Sequence, residues 1–168
     1  ISYWADVICY QCTAGPTRFD GFGYTTFSGG TPNAVEIGCT ATECGVESGA
    51  NQGSTAHLGV KILRVGGQYS GSANDQITDV NASTRSWNLG LSLGPKGIAS
   101  GFAGVACGNG DDPTVWLDGC TFAGLDYDVY ASTAGGFIYY RNMPAPNANP
   151  ATVGTVATEA AATAAANS

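Results

Sequence analysis

The sequence predicts an all-β domain of the β-sandwich or jelly-roll kind. Three observations lead there. Apolar residues alternate with period two along most of the chain, and short runs of this kind are separated by Gly, Pro, Asn and Asp clusters. Before residue 142, no ten-residue stretch free of Gly and Pro carries a helical stripe.

The elements follow in order. Ile1, Tyr3, Ala5, Val7 and Cys9 alternate with Ser2, Trp4, Asp6, Ile8 and Tyr10, which is strand period. Further strands are expected within 18–28, 34–40, 57–69, 85–93, 97–107, 114–117, 121–131 and 136–141, with turns at 29–32, 49–53, 71–75, 94–95 and 108–113. Gly90, Gly101 and Gly104 inside these runs mark bulges or close backbone approach. No internal repeat of solenoid length is apparent. After Arg141 the composition changes. Residues 142–150 read as a polyproline-biased linker, and residues 151–168 are almost only small and uncharged, with Glu159 the sole charge. Within that tail, 152–156 reads as strand and 157–166 has helix propensity. The expected organisation is a sandwich over 1–142, with 1–11 a candidate donor strand, and a linker plus assembly tail over 143–168.

Charged residues make up 11% of the chain, about half the ordinary share. A net charge of −7 with 6 Lys and Arg excludes a phosphate-binding surface, so nucleic acid is not an expected partner. No apolar run approaches the length of a membrane span. A hydrophobic fraction of 43% excludes disorder. Ile1 in place of an initiator Met is read as the mark of a removed leader, hence an extracellular or cell-surface protein. The even set Cys9, Cys12, Cys39, Cys44, Cys107 and Cys120 then suggests disulfides. Local pairs Cys39/Cys44 and Cys107/Cys120 are plausible from spacing, and Cys9 and Cys12 pair with each other or elsewhere. Zinc is disfavoured because Cys9-x-x-Cys12 lacks a second ligand pair, and a redox CxxC because Thr13-Ala14-Gly15-Pro16 breaks a helix.

Catalytic machinery is hard to find. His57 stands alone at the start of an apolar run and reads as structural, and no Gly-x-Ser-x-Gly elbow exists. Gly90–Lys96 lacks the Walker spacing. Asp126 and Asp128 would share a strand face and could run glycoside hydrolysis, although a solvated face explains them more simply. Asp111, Asp112 and Asp118 flank a turn and could offer oxygens to Ca²⁺, but turn chemistry suffices. Trp4, Trp87 and Trp116 could stack on sugars or pack a core. Asn81-Ala82-Ser83 is an N-glycosylation sequon, and the Thr/Ala/Pro tail reads as O-glycosylated stalk, so covalent glycans are expected. No catalytic, cofactor or metal residue is assigned.

The alternating Ile1–Cys9 segment, the Pro144–Pro150 linker and the Ala151–Ser168 tail together resemble the layout of bacterial and archaeal pilin-like β-sandwich subunits. The resemblance implies polymerisation, surface display and no catalytic residues. The leading expectation is therefore a homopolymer assembled head to tail by terminal-segment exchange. Ile1, Tyr3, Ala5, Val7, Val153 and Val156 are the candidate assembly residues. The alternatives are a secreted carbohydrate-binding module and, last, a small glycoside hydrolase.

Overall fold

The computed structural model describes residues 6–26, 30–45, 52–81, 83–97, 102–108 and 112–159. The expectations placed on Ile1, Tyr3, Trp4, Ala5 and Asp111, and on the last nine residues of the tail, lie outside these. Fifteen strands are present among the described residues: β1 (Val7–Tyr10), β2 (Thr13–Ala14), β3 (Phe22–Tyr24), β4 (Asn33–Thr42), β5 (Ser54–Ala56), β6 (Lys61–Ser70), β7 (Ile77–Val80), β8 (Arg85–Leu89), β9 (Ser92–Leu93), β10 (Ala103–Gly108), β11 (Thr114–Asp118), β12 (Thr121–Phe122), β13 (Tyr127–Ala131), β14 (Phe137–Arg141) and β15 (Thr155–Thr158). The expected strands at 34–40, 114–117 and 136–141 correspond to β4, β11 and β14.

Every pairing among them is parallel. Val7, Ala34, Ile62, Ser86, Val115, Ile138 and Val156 stack in one ladder, so successive coils advance by 27, 28, 24, 29, 23 and 18 residues. The chain is a three-sided β-solenoid. Side one carries β1, the first halves of β4 and β6, then β8, β11, β14 and β15; side two carries β2, the second halves of β4 and β6, β9 and β12. Side three is the separate sheet β3-β5-β7-β10-β13.

The corner between sides one and two explains the winding. Gln11, Gly38, Gly66, Gly90, Gly119 and Asn142 hold the same ladder position, and all are left-handed with φ between +50° and +62°. A single left-handed residue turns the strand without reversing it, and Gly, Asn and a few polar residues tolerate that conformation. The chain therefore passes to the next side and returns one coil higher, in place of the hairpins a sandwich needs. In the interior Val115 and Ile138 of side one meet Ile77, Val105 and Val129 of side three and Ala41, Tyr69 and Leu93 of side two, while Ala34 and Ile62 pack with Tyr24, Ala56 and Val60.

Three expectations are corrected. The fold is neither sandwich nor jelly roll, because its strands stack parallel coil upon coil. The six cysteines are free thiols; Cys39, Cys44, Cys107 and Cys120 are buried, with the Cys39 thiol donating to the Cys9 carbonyl at 3.3 Å and the Cys120 thiol to the Asn88 carbonyl at 3.2 Å. The segment after Arg141 is no extended tail up to residue 159. Ala148 bridges to Val129, β15 pairs with β14, and Met143, Ala148 and Val156 pack on the core.

Candidate functional site: the outer aromatic side and the open ends

Strand alternation gives each side-one strand one inward and one outward set. The inward set is unusual in coils two to four. Glu36, Arg64 and Asn88 occupy one inward ladder, and all three are fully buried. Arg64 donates from Nη1 and Nη2 to both Asp79 oxygens at 3.1 and 3.0 Å, from Nε to Ser54 Oγ at 3.0 Å, and from Nη1 to Ser86 Oγ and Asn88 Oδ1 at 3.1 and 3.2 Å. Glu36 accepts from Ser54 Oγ at 2.7 Å and from the Tyr69 hydroxyl. Burial alone would lower the Arg64 pKa, but the Asp79 and Glu36 carboxylates outweigh it and hold the guanidinium charged. Burial, then the Glu36 charge, pushes the Tyr69 hydroxyl up, so it stays a donor. This cluster is sealed from solvent and organises the interior.

The cluster decides what faces outward. On β8, Ser86 and Asn88 turn in to serve Arg64, so Trp87 and Leu89 turn out. The outer ladder of side one reads Ile8, Val35, Leu63, Trp87, Trp116 and Tyr139, and the ladder beside it Tyr10, Ile37, Val65, Leu89, Asp118 and Arg141, with Glu159 just past β15. Trp87 and Trp116 stack with centroids 5.0 Å apart and planes 4° from parallel; Trp116 and Tyr139 are tilted at 6.2 Å, and Tyr139 stacks on Phe137 at 6.0 Å. Trp87, Trp116 and Tyr139, with the charged residues Asp118, Arg141 and Glu159, line a groove of about 220 Å³. Arg141 bridges two coils there, donating to Asp118 at 2.8 Å and to Glu159 at 2.8 Å, while Asn142 donates to the other Asp118 oxygen at 2.7 Å. Those bonds, Arg141 first, hold the Asp118 carboxyl below its ordinary range.

The ends are the second feature. Phe137 N–H donates to Pro113 and Thr155 N–H to Gly136, each toward the preceding coil, so outward residues point their N–H groups down the solenoid and inward residues up it. On β1, Ile8 and Tyr10 thus face an edge that no described strand pairs; on β15, Val156 and Thr158 do the same at the other end. The first coil also exposes Val7, Ile8, Tyr10 and Phe19, four of the seven large apolar residues with substantial exposure among the described residues.

No protein-family profile, curated protein or solved structure matches the chain.

The other candidate residues fall as follows. Val7 and Val156 lie at opposite ends of one ladder, and Val153 is exposed beside β15, its N–H bonded to Ala131. Trp87 and Trp116 come together, but their faces are spent on each other. Asp126 is ion-paired with Lys96, and Asp128 accepts from Asn147 N–H at 2.8 Å, so the two carboxylates serve separate contacts. Asp112 lies in the loop before β11, where its carbonyl accepts from Arg85, away from Asp118 at the far end of that strand. His57 bonds Thr55 Oγ1 at 2.7 Å. Asn81 follows β7 with φ +72°, its N–H bonded to Gly108. Cys9 and Cys12 are half-buried in the first coil, where Cys9 accepts from the Tyr24 hydroxyl at 3.4 Å. No helix among the described residues is long and apolar enough to cross a membrane. Sequence reasoning passed over Glu36, Arg64 and Asp79, and with them Leu63, Leu89 and Tyr139. A signal was present in Ser86-Trp87-Asn88-Leu89, where polar and apolar residues alternate but the polar pair is the one buried.

Proposed function

We propose that this protein is a structural subunit of an extracellular filament or surface layer that lengthens by stacking solenoids end to end. One observation carries the reading: the edges of β1 and β15, which no described strand pairs, are complementary. Val156 and Thr158 point N–H and C=O groups up, Ile8 and Tyr10 point theirs down, and the shared ladder of Val7 and Val156 sets the register in which one copy continues the next. Such a contact is heterologous and does not close, so it generates an open polymer. It takes the place of donor-strand exchange, because β1 is already paired with β4 of its own chain. An unblunted apolar edge such as Val7-Ile8-Cys9-Tyr10, with no Pro, Lys or bulge in it, is what proteins normally avoid unless pairing is intended. Placement outside the cell rests on the low charge of the chain.

Negative-stain microscopy and light scattering test the reading. Fibres with an axial repeat are expected, and Thr158→Pro, which removes one upward N–H and no internal bond, abolishes them while leaving the circular dichroism unchanged. A protein that forms no fibre at any concentration, or fibres indifferent to Thr158→Pro, refutes it. A second reading, a carbohydrate-binding module, draws on the Trp87–Trp116–Tyr139 ladder and its groove. Ring edges rather than open faces meet solvent there, which suits sugar stacking poorly, and a glycan array with Trp87→Ala as control decides it.

A further inference from the structure

Most of the cysteines face unlike residues on the neighbouring coils. Cys9 pairs with Glu36, Cys44 bridges to Thr17, and Cys107 stands between Asp79 and Ala131. Thr121 N–H bonds the Leu91 carbonyl, which sets Cys120 opposite Leu91. Cys12 and Cys39 are different. Tyr10 pairs with Ile37 and Thr13 with Thr40, and two residues separate these pairs on each coil, so Cys12 stands directly below Cys39. Gln11 N–H bonds the Ile37 carbonyl at 2.8 Å and Thr40 N–H the Cys12 carbonyl at 2.9 Å, which carries the register through the corner. We propose that the two thiols form a two-coordinate site for Cu(I), a soft cation that takes two thiolates in line. The site does not depend on end-to-end stacking.

The rotamers agree with it. Each thiol donates to the carbonyl two residues before it, Cys12 to Tyr10 at 3.6 Å and Cys39 to Ile37 at 3.8 Å, so both side chains leave the backbone in the same direction. The Cys39 proton is shared with the Cys9 carbonyl at 3.3 Å. Parallel side chains on neighbouring strands keep the strand spacing of about 4.8 Å between their ends. A disulfide needs Cβ atoms about 3.8 Å apart and sulfurs about 2 Å apart, which this arrangement does not give. Two metal–sulfur bonds of about 2.3 Å, end to end, span about 4.6 Å, which it does.

The ligand set selects the ion. Soft thiolates favour Cu(I), whereas structural zinc and iron–sulfur clusters take four ligands. Among the described residues no third His, Cys, Asp or Glu completes a larger cluster, and the next residue of the row, Gly67, has no side chain. Cys39 is buried and Cys12 half-buried on the first coil, beneath which no described strand lies, so the ion enters from that end. Binding replaces two S–H bonds with two S–Cu bonds and releases two protons to solvent, leaving one net negative charge on the dithiolate. Burial pushes the Cys39 thiol up, against the Cys12 N–H that bonds it, and a bound cation reverses this by displacing the proton. The thiol–carbonyl bonds given up are weak.

Competition against bicinchoninate, a Cu(I) chelator, tests the site on the full chain under argon with ascorbate, and X-ray absorption reads the ligands. One equivalent bound by two sulfurs is expected, with an affinity that rises about 100-fold per pH unit while both thiols are protonated, because two protons leave. Cys12→Ser and Cys39→Ala each weaken it by more than about 100-fold, and Cys9→Ser leaves it unchanged. Should Cys39→Ala melt early, Cys12→Ser carries the test, since Cys12 is half-buried. Zn²⁺ in the same excess does not displace the ion. Cu(I) binding that survives Cys12→Ser, a third sulfur on the ion, or no Cu(I) held against the chelator overturns the proposal.

Discussion

Replacing Arg64 with Met keeps volume and removes one positive charge from a closed interior. Arg64, Glu36 and Asp79 are each fully buried, and five hydrogen bonds from the guanidinium end on four side chains. Without it Glu36 keeps Ser54 and Tyr69, and Ser86 keeps Asn88, but Asp79 loses the cation that took both its oxygens. Leaving a buried charge without its partner costs about 3–5 kcal/mol. For a chain of this size that lowers Tm by about 6–20 °C. Scanning calorimetry with circular dichroism at neutral pH measures it. Acid relieves the defect, because a buried carboxyl that has lost its cation is better protonated, so the folded variant takes up protons and its deficit narrows as pH falls. Glu36→Gln/Arg64→Met/Asp79→Asn, with no charge left, regains more than half of the loss. An Arg64→Met protein within about 1 kcal/mol of the parent would refute the reasoning, since it would mean the site is wet or the carboxylates find other partners.

Asp75 sets a second pH dependence: burial pushes its carboxyl up to about 6, against bonds from Ala103 N–H and Thr78 Oγ1. Between 3.8 and about 6 the folded state binds more protons than the unfolded, so stability falls by up to about 3 kcal/mol as pH rises through that window; denaturant midpoints should show this slope, and Asp75→Asn should remove it. At the corners, Gly66→Asn costs less than about 1 kcal/mol because Asn142 already holds the equivalent left-handed position, whereas Gly67→Ala, whose Cβ would come 2.4 Å from the Cys39 carbonyl oxygen, costs several times more by thermal melting. Unfolded without reductant, the protein should bind six equivalents of a thiol reagent. Folded, it should spare Cys107, whose thiol burial and then the Asp79 charge push up to about 12.

Much of the local structure was legible. Strand runs and their turn-rich boundaries depend on neighbours in sequence, and β4, β11 and β14 fall where alternation placed them. That none of the described residues before 142 is helical was equally readable, since Gly and Pro interrupt every stripe. The repeat was not. Coil lengths differ from one turn to the next, and at the corner the shared feature is a backbone angle that Gln11, four glycines and Asn142 all satisfy, so no residue identity recurs at a fixed spacing. Sandwich and solenoid use the same short strands, and they part only on whether a turn reverses the chain or bends it. The cysteine count misled for a related reason, because an even number fits disulfides and also fits small buried residues that fill an interior.

By itself, then, the sequence determined a β protein of low charge, its strands and its turns, because propensity and alternation act over a few residues. Alternation yields two faces and cannot say which is inside. That was settled between coils: Arg64 of β6 and Asp79 of β7 need acceptors and donors in a sealed interior, Ser86 and Asn88 of β8 supply them, and Trp87 and Leu89 are left on the surface. The outer aromatic side exists because a buried charge elsewhere in the chain claimed the polar half of that strand.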